Sequence, residues 1–197
     1  MAISADKVKT LRERTGVGIM DCKSALTETN GDIDKAVELL RKKGIASAEK
    51  RARRETSQGL VETYIHPGSQ LGVLLEVNCE TDFVAKTDDF KSFVRDIAMQ
   101  IAATGPRAVS REDFLQEEID KELEIYETQA KNEGKPENII ERYVRGKLEK
   151  FYQENVLIEQ SYIKDPNKNI KGLLSEVIAK TGENIIIRRF IRYQLGA

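Results

Sequence analysis

Residues able to do covalent or metal chemistry are sparse in this chain. There is one histidine, His66, and there are two cysteines, Cys22 and Cys79. The sequence contains no HExxH, CxxC, GxSxG or GxxxxGK(S/T), so zinc, acyl-transfer and P-loop chemistry lack the residues they need. His66 stands before Pro67-Gly68 and reads as a turn residue between strands. Gly16-Val17-Gly18 lacks the third glycine and the preceding strand of a dinucleotide loop. Glu80, Asp82, Asp88 and Asp89 bring carboxylates close together, without the regular oxygen spacing of a calcium loop. The expectation is a protein that is not an enzyme and uses no cofactor and no metal.

That leaves binding, and the elements that would present it. The first 44 residues predict three short helices. Ser4 caps the first, whose Val8 and Leu11 recur at helical spacing up to Thr15-Gly16-Val17-Gly18. The second runs from about Ile19 to Thr29 and stops at Asn30-Gly31. Asp32 caps the third, with Ile33, Ala36, Val37 and Leu40 as its apolar stripe and Gly44 as its end. Segment 45–58 reads as a basic linker helix: Lys50, Arg51, Arg53 and Arg54 follow Arg41, Lys42 and Lys43. A cationic run of this kind serves either as an RNA or acidic-surface contact or as a solvated helix face; no aromatic residue is interleaved with it.

From residue 59 the period changes to two. Val61, Thr63 and Ile65 alternate with Glu62 and Tyr64. After the turn His66-Pro67-Gly68-Ser69 come Leu71, Val73, Leu75 and Val77, giving a β-hairpin with one buried side. Thr87-Asp88 opens a helix striped by Phe90, Val94, Ile97, Ala98 and Ile101 and closed by Gly105-Pro106. Ser110 to Asp113 form a variant capping box, with Val109 and Phe114 at the spacing of a hydrophobic staple. Two charged helices follow, broken at Asn132-Glu133-Gly134-Lys135-Pro136, their narrow stripes being Leu115, Ile119, Leu123 and Tyr126, then Ile139, Tyr143 and Leu148. The end reads as strand, turn, helix and strand: Val156 to Ile163 extended, a turn at Asp165-Pro166-Asn167, and Leu173, Leu174, Val177 and Ile178 lining a helix to Thr181-Gly182. The last strand puts Ile185, Ile187, Ile191, Tyr193 and Leu195 on one face and Ile186, Arg188, Phe190, Arg192 and Gln194 on the other, so it is covered on both sides or lies at an oligomer contact.

The fold class is therefore α+β: an N-terminal three-helix module (1–44), the basic linker (45–58), and an antiparallel sheet core with packed helices over 59–197, carrying a helical insertion at about 111–153. The composition fits this. The 197 residues carry 32 Lys plus Arg against 33 Asp plus Glu, a net charge of −1, which argues against the whole molecule as a polyanion binder. No apolar run approaches the ~20 residues of a membrane span, and the N-terminus lacks the features of a signal peptide. Two widely separated cysteines make no disulfide framework, so a reducing cytoplasm is the expected setting.

Two segments carry more than pattern. Leu11-Arg12-Glu13-Arg14-Thr15-Gly16-Val17-Gly18-Ile19-Met20-Asp21-Cys22-Lys23-Ser24-Ala25-Leu26 resembles the N-terminal signature of the translation elongation factor Ts family. Glu76-Val77-Asn78-Cys79-Glu80-Thr81-Asp82-Phe83-Val84-Ala85-Lys86 resembles its second signature. The likeness continues through Gly134-Lys135-Pro136 and Gly182-Glu183-Asn184-Ile185, and so covers essentially the whole chain.

The resemblance implies a guanine nucleotide exchange factor that binds elongation factor Tu carrying GDP and speeds GDP release. It implies a module of ubiquitin-associated (UBA) type at residues 1–44, docking on the partner through Arg12, Ile19 and Met20. It also implies that Thr81, Asp82, Phe83 and Val84 meet the same partner domain near its magnesium site. The chain resembles the compact, single-core members, which implies a homodimer and a two-to-two complex, with no membrane and no direct nucleic-acid partner. Compact members can join through a cysteine near the C-terminus; Arg189-Phe190-Ile191-Arg192 has none, which implies a non-covalent dimer. Periodicity alone reads Phe83 and Val84 as sealing the hairpin core and Asp82 as capping the next helix; the resemblance gives Asp82 and Phe83 to the partner instead. Rival readings are an RNA-binding protein using segment 41–54 and a GTPase-binding module without exchange activity.

Overall fold

The computed structural model describes residues 3–197. Eight helices and five strands follow in the order α1 (Ala5–Thr15), α2 (Ile19–Glu28), α3 (Ile33–Arg51), β1 (Gln58–Ile65), β2 (Leu71–Cys79), α4 (Asp82–Ala85), α5 (Asp88–Thr104), α6 (Gln116–Asn132), α7 (Glu137–Asn155), β3 (Ser161–Tyr162), β4 (Asp165–Asn169), α8 (Ile170–Thr181) and β5 (Ile185–Gln194). The architecture is the expected α+β, with a three-stranded sheet in the order β1-β2-β5 and a two-stranded β3-β4 ribbon. The chain forms two compact units. One holds the segments up to Glu62, Leu75–Arg95 and Gly172–Arg188; the other holds Thr63–Leu74, Asp96–Lys171 and Arg189–Ala197.

In the first unit the three N-terminal helices close around Leu11, Cys22, Ala25, Leu26, Ala36 and Leu40, all buried. Local chemistry sets their ends. The Ser4 hydroxyl accepts the Lys7 N–H, and Gly16 stops α1 at φ 68°, its N–H donating to the Arg12 carbonyl at 2.7 Å. Asp32 accepts the Lys35 N–H at 3.0 Å and starts α3.

Helix α3 does not end at Gly44. It runs on to Arg51, a turn follows, and β1 begins at Gln58, so the helical part of the basic segment is a continuation of α3. Gly44 is buried, and a methyl group placed there would lie 3.3 Å from Ala179 Cβ on α8. The glycine marks close helix approach and not a C-cap.

The helix after the hairpin is as expected, with Phe90, Val94, Ile97, Ala98 and Ile101 fully buried. The hairpin itself differs on one side. Along β2, Val73, Leu75, Val77 and Cys79 are buried, but Val61 and Ile65 on β1 are exposed. Ile65 lies over Gly72, the face of β2 opposite to Val73. On β5 the alternation changes phase. Ile185 and Ile187 are buried, Arg188 and Arg189 are both exposed, and Ile191, Tyr193 and Leu195 then point to solvent. Of the five apolar residues expected on one face, Ile185 and Ile187 are thus covered and Ile191, Tyr193 and Leu195 are not.

In the second unit, α6 and α7 form the expected helical hairpin, closed by Ile119, Phe151, Tyr152 and Val156 with Phe114, Leu123, Tyr126 and Leu148. Leu115 and Ile139, expected in the stripes, are exposed. The capping box exists, with the Ser110 N–H donating to Asp113 Oδ2 at 2.8 Å, but it caps a 3-10 turn at Arg111–Asp113. Helix α6 starts later, where the Leu115 N–H donates to Glu118 at 3.2 Å. The stretch read as one strand over 156–163 is a 3-10 turn at Leu157–Glu159 followed by β3. The ribbon turns after Tyr162, which pairs with Asp165, and not at Asp165-Pro166-Asn167. Gln160 fixes this path. Its side-chain N–H donates to the Glu154 carbonyl at 2.7 Å, and its amide oxygen accepts from Gln100 and Thr104.

Candidate partner-docking site

The sequence-predicted contact residues all fall in the first unit. Arg12 lies exposed near the end of α1. Across the Thr15–Gly18 loop, Ile19 and Met20 open α2 with little of their surface covered, Met20 being 75% exposed. The loop is held from beneath: Thr15 donates to the Leu11 carbonyl at 2.8 Å, and the Cys22 thiol points to the Val17 carbonyl. Large apolar side chains presented by a well-packed support are costly to leave in water, and they are what an interface core is made of.

Residues Thr81–Val84 sit where β2 ends and α4 begins. Thr81, not Asp82, is the N-cap: its hydroxyl oxygen accepts the Val84 N–H at 3.4 Å. Asp82 occupies the first turn and pairs with Lys86 at 2.6 Å. The hydrogen bond from that ammonium holds its carboxyl below the usual carboxylate range. Phe83 is 77% exposed, so it does not seal the hairpin core; Val84 is half-buried and Ala85 buried. The turn is tied to α5 by Thr87, whose hydroxyl donates to the Val84 carbonyl at 2.7 Å and accepts the Phe90 N–H.

Two residues without a role in the sequence reading support this turn from below. The Glu183 carboxylate takes both donors of Thr81, the N–H at 3.0 Å and the hydroxyl. Next to it, the Asn184 N–H donates to Glu80 at 2.6 Å, and the Asn184 side chain donates to the Arg54 carbonyl at 2.8 Å. Their signal in sequence is the family likeness at Gly182-Glu183-Asn184-Ile185 and the polar pair itself, placed where Gly182 ends α8 at φ 77°. The spacing of about a hundred residues from Thr81 conceals the pairing.

Three carboxylates near this turn are engaged with cations: Glu80 with Arg54, Asp82 with Lys86, Asp89 with Lys180. Among the described residues no group of His, Cys, Asp and Glu is placed to hold a metal ion. Cys79 is fully buried, its thiol pushed up to about 11 by desolvation and then by the charge of Glu183. It behaves as a small hydrophobe. His66 is exposed at the hairpin tip, its Nδ1 3.1 Å from the Tyr64 hydroxyl. Among the described residues no helix is long and apolar enough to cross a membrane.

Fold and site together define a mixed α+β protein that displays exposed apolar side chains on firmly held turns. Comparison with known proteins gives the particular family. The sequence model described as Elongation factor TS matches residues 8–197, and the chain belongs to that family. It is 61% identical over 194 residues to the elongation factor Ts of Caldanaerobacter subterraneus subsp. tengcongensis, covering 98% of this chain and 97% of that one. It is 60% identical to that of Thermoanaerobacter sp. (strain X514), covering 98% and 95%. With that of Herpetosiphon aurantiacus it shares 54% identity over 197 residues, the whole of both chains. Family membership carries the general role of a translation elongation factor.

Proposed function

We propose that the chain is a guanine nucleotide exchange factor that binds elongation factor Tu carrying GDP, loosens the nucleotide and allows GTP to load, without catalysing a chemical reaction itself. The observation that carries this reading is Phe83, an aromatic side chain held out in solvent by a turn whose neighbours are all fixed. Buried aromatic side chains dominate interface energetics, and one kept exposed at this cost needs a pocket elsewhere. In the proposed complex Phe83 enters a cleft of the partner and displaces the helix whose residues orient the water ligands of its magnesium ion. Magnesium demands near-ideal octahedral geometry, so a shift on the order of an ångström releases it. Asp82, kept ionised by Lys86, supplies an acceptor to the partner while its charge disfavours the nearby phosphates.

By reciprocity, a protein that binds the nucleotide-free partner more tightly weakens nucleotide binding by the same factor. It therefore speeds exchange and does not select GTP over GDP. The UBA-like module of residues 1–44, followed by the linker of 45–58 and the core of 59–197, supplies the second contact through Arg12, Ile19 and Met20. The basic run at 41–54 is partly compensated within the chain, Lys43 by Glu28 and Arg54 by Glu80, which supports a structural role over RNA binding.

A non-covalent homodimer, giving a two-to-two complex in the cytoplasm, completes the reading. Its support is the exposed Ile65, Leu74, Ile191 and Tyr193 on β1, β2 and β5, an apolar surface unusual for an isolated sheet. Both cysteines are buried and free.

The test is stopped-flow release of fluorescent GDP from elongation factor Tu. The wild type accelerates release, Phe83→Ala loses at least about tenfold of that acceleration, and Asp82→Ala loses less. Absence of acceleration at saturating wild-type protein overturns the reading.

A further inference from the structure

Helix α4 has only four residues, too few to stabilise itself, because the cost of fixing the first helical turn is repaid only by propagation. The orientation of Phe83 therefore depends on what grips the ends of the turn. Thr87 grips the C-terminal end. At the N-terminal end, Thr81 places its hydroxyl oxygen under the Val84 N–H while giving both of its own donors to Glu183.

The Glu183 carboxylate is itself held by a reciprocal clasp. Glu80 and Thr81 belong to one segment, Glu183 and Asn184 to the other, and each segment's carboxylate receives a backbone N–H of its opposite. Thr81 N–H goes to Glu183 at 3.0 Å, and Asn184 N–H goes to Glu80 at 2.6 Å. Arg54 closes it from a third segment: its guanidinium meets Glu80 at 3.4 Å and its carbonyl accepts the buried Asn184 side chain. Hydrogen bonds to ionised carboxylates are about twice as strong as neutral ones.

We propose that Glu183 is the positioning residue of the exchange contact. It does not touch the partner; by clamping Thr81 it holds the α4 turn in the one conformation that presents Phe83. The inference rests on the exchange reading of Phe83 given above. An aromatic side chain carried on a backbone fixed before binding loses less freedom in the complex, and a conformer populated only in part reduces the effective rate by that fraction.

The chain contains no tryptophan, so Phe83→Trp introduces a single reporter at the site. Time-resolved anisotropy of that reporter measures its local motion without any partner. Glu183→Ala is expected to enlarge the amplitude of the nanosecond component over that of the parent. Glu183→Gln, which keeps one amide oxygen as acceptor, is expected to fall between them. A destabilising core change in the helical hairpin, Phe151→Leu, is expected to leave that amplitude unchanged.

In GDP release from elongation factor Tu, with Phe83 restored, Glu183→Ala is expected to lower the saturating rate about tenfold and Glu183→Gln about threefold. Added to Phe83→Ala, Glu183→Ala is expected to change the rate by less than about twofold, since both act through one side chain.

Unchanged anisotropy in both Glu183 variants overturns the proposal. So does a loosened reporter with an undiminished exchange rate, and so does a loss fully additive with Phe83→Ala. If the wild type fails to accelerate release, it is the exchange reading that falls, and the anisotropy alone decides whether Glu183 clamps the turn.

Discussion

Gly59 on β1 lies so close to β2 that a methyl group on its Cα would stand 2.1 Å from the carbonyl oxygen of Val77. Its φ of +147° is also one that side-chain-bearing residues rarely adopt. The obstacle is backbone, so no rotamer change relieves it, and Val77 belongs to the buried strand that leads into the Thr81 turn. Gly59→Ala is expected to cost about 3 kcal/mol or more, read as a lower urea midpoint at unchanged slope. A shift below about 1 kcal/mol would show that β1 moves freely against β2.

Gly146 offers the opposite case. It lies inside α7, and an added methyl group meets nothing within 4 Å. Gly146→Ala is expected to stabilise the protein by about 1 kcal/mol through helix propensity alone, a rise in melting temperature of a few degrees. A loss of stability would indicate a constraint on the helical hairpin beyond its own packing.

Cys79 carries a pH signature. Its thiol, ordinarily near 9.0, titrates at about 11 in the folded chain because burial and Glu183 disfavour the thiolate. Between these values the unfolded chain has lost the proton and the folded chain keeps it. The Cys79 contribution therefore lowers stability as pH rises from about 9 to about 11 and is constant outside that window. At pH 8 the thiolate fraction of Cys79 is expected to be about 100-fold below that of a free cysteine. Labelling by an alkylating reagent, resolved by peptide mass, checks this: Cys79 labels at the unfolding-limited rate, and rapid labelling in the native protein contradicts it.

The first residues of α2 bear on affinity. Ile19 and Met20 are largely exposed, so Ile19→Ala with Met20→Ala is expected to leave the melting temperature within about a degree. The same double change is expected to weaken binding to elongation factor Tu at least about tenfold by titration calorimetry. Unchanged affinity would move the docking surface away from the three-helix module.

The exposed sheet face predicts an oligomer. In sedimentation equilibrium the wild type is expected to be a dimer at micromolar concentration, and Tyr193→Asp a monomer of unchanged helicity, because burying an unpaired carboxylate opposes association. A monomeric wild type would leave Ile65, Leu74, Ile191 and Tyr193 to another partner.

Much of the architecture was legible because its signals are local. The Ser4 and Asp32 caps and the glycine stops at Gly16 and Gly182 act within a turn of the residues that carry them. The stripe from Phe90 to Ile101 does the same work over a longer span. Each is a short-range bond or a periodic apolar face, and either can be read along one segment. The two signature segments were equally legible, and the family they point to is the one the chain belongs to.

What failed was the part that depends on a second segment. Gly44 looks like a helix stop as long as its neighbour across the packing, Ala179 of α8, which occupies the space a side chain would need, is out of sight along the chain. Val61 and Ile65 look like core because alternation gives two faces without saying which one the rest of the chain covers. The phase change at Arg188–Arg189 has no pattern of its own.

Sequence by itself determined the family and most element types, with the stretch 156–169 as the exception, since these rest on local hydrogen bonds, periodicity and contiguous motifs. Tertiary structure alone decided that Phe83 stands in solvent and that Glu183 and Asn184 reach Thr81, Glu80 and Arg54. Exposure and long-range carboxylate pairing are properties of what surrounds a residue, and the surroundings exist only once distant segments have packed.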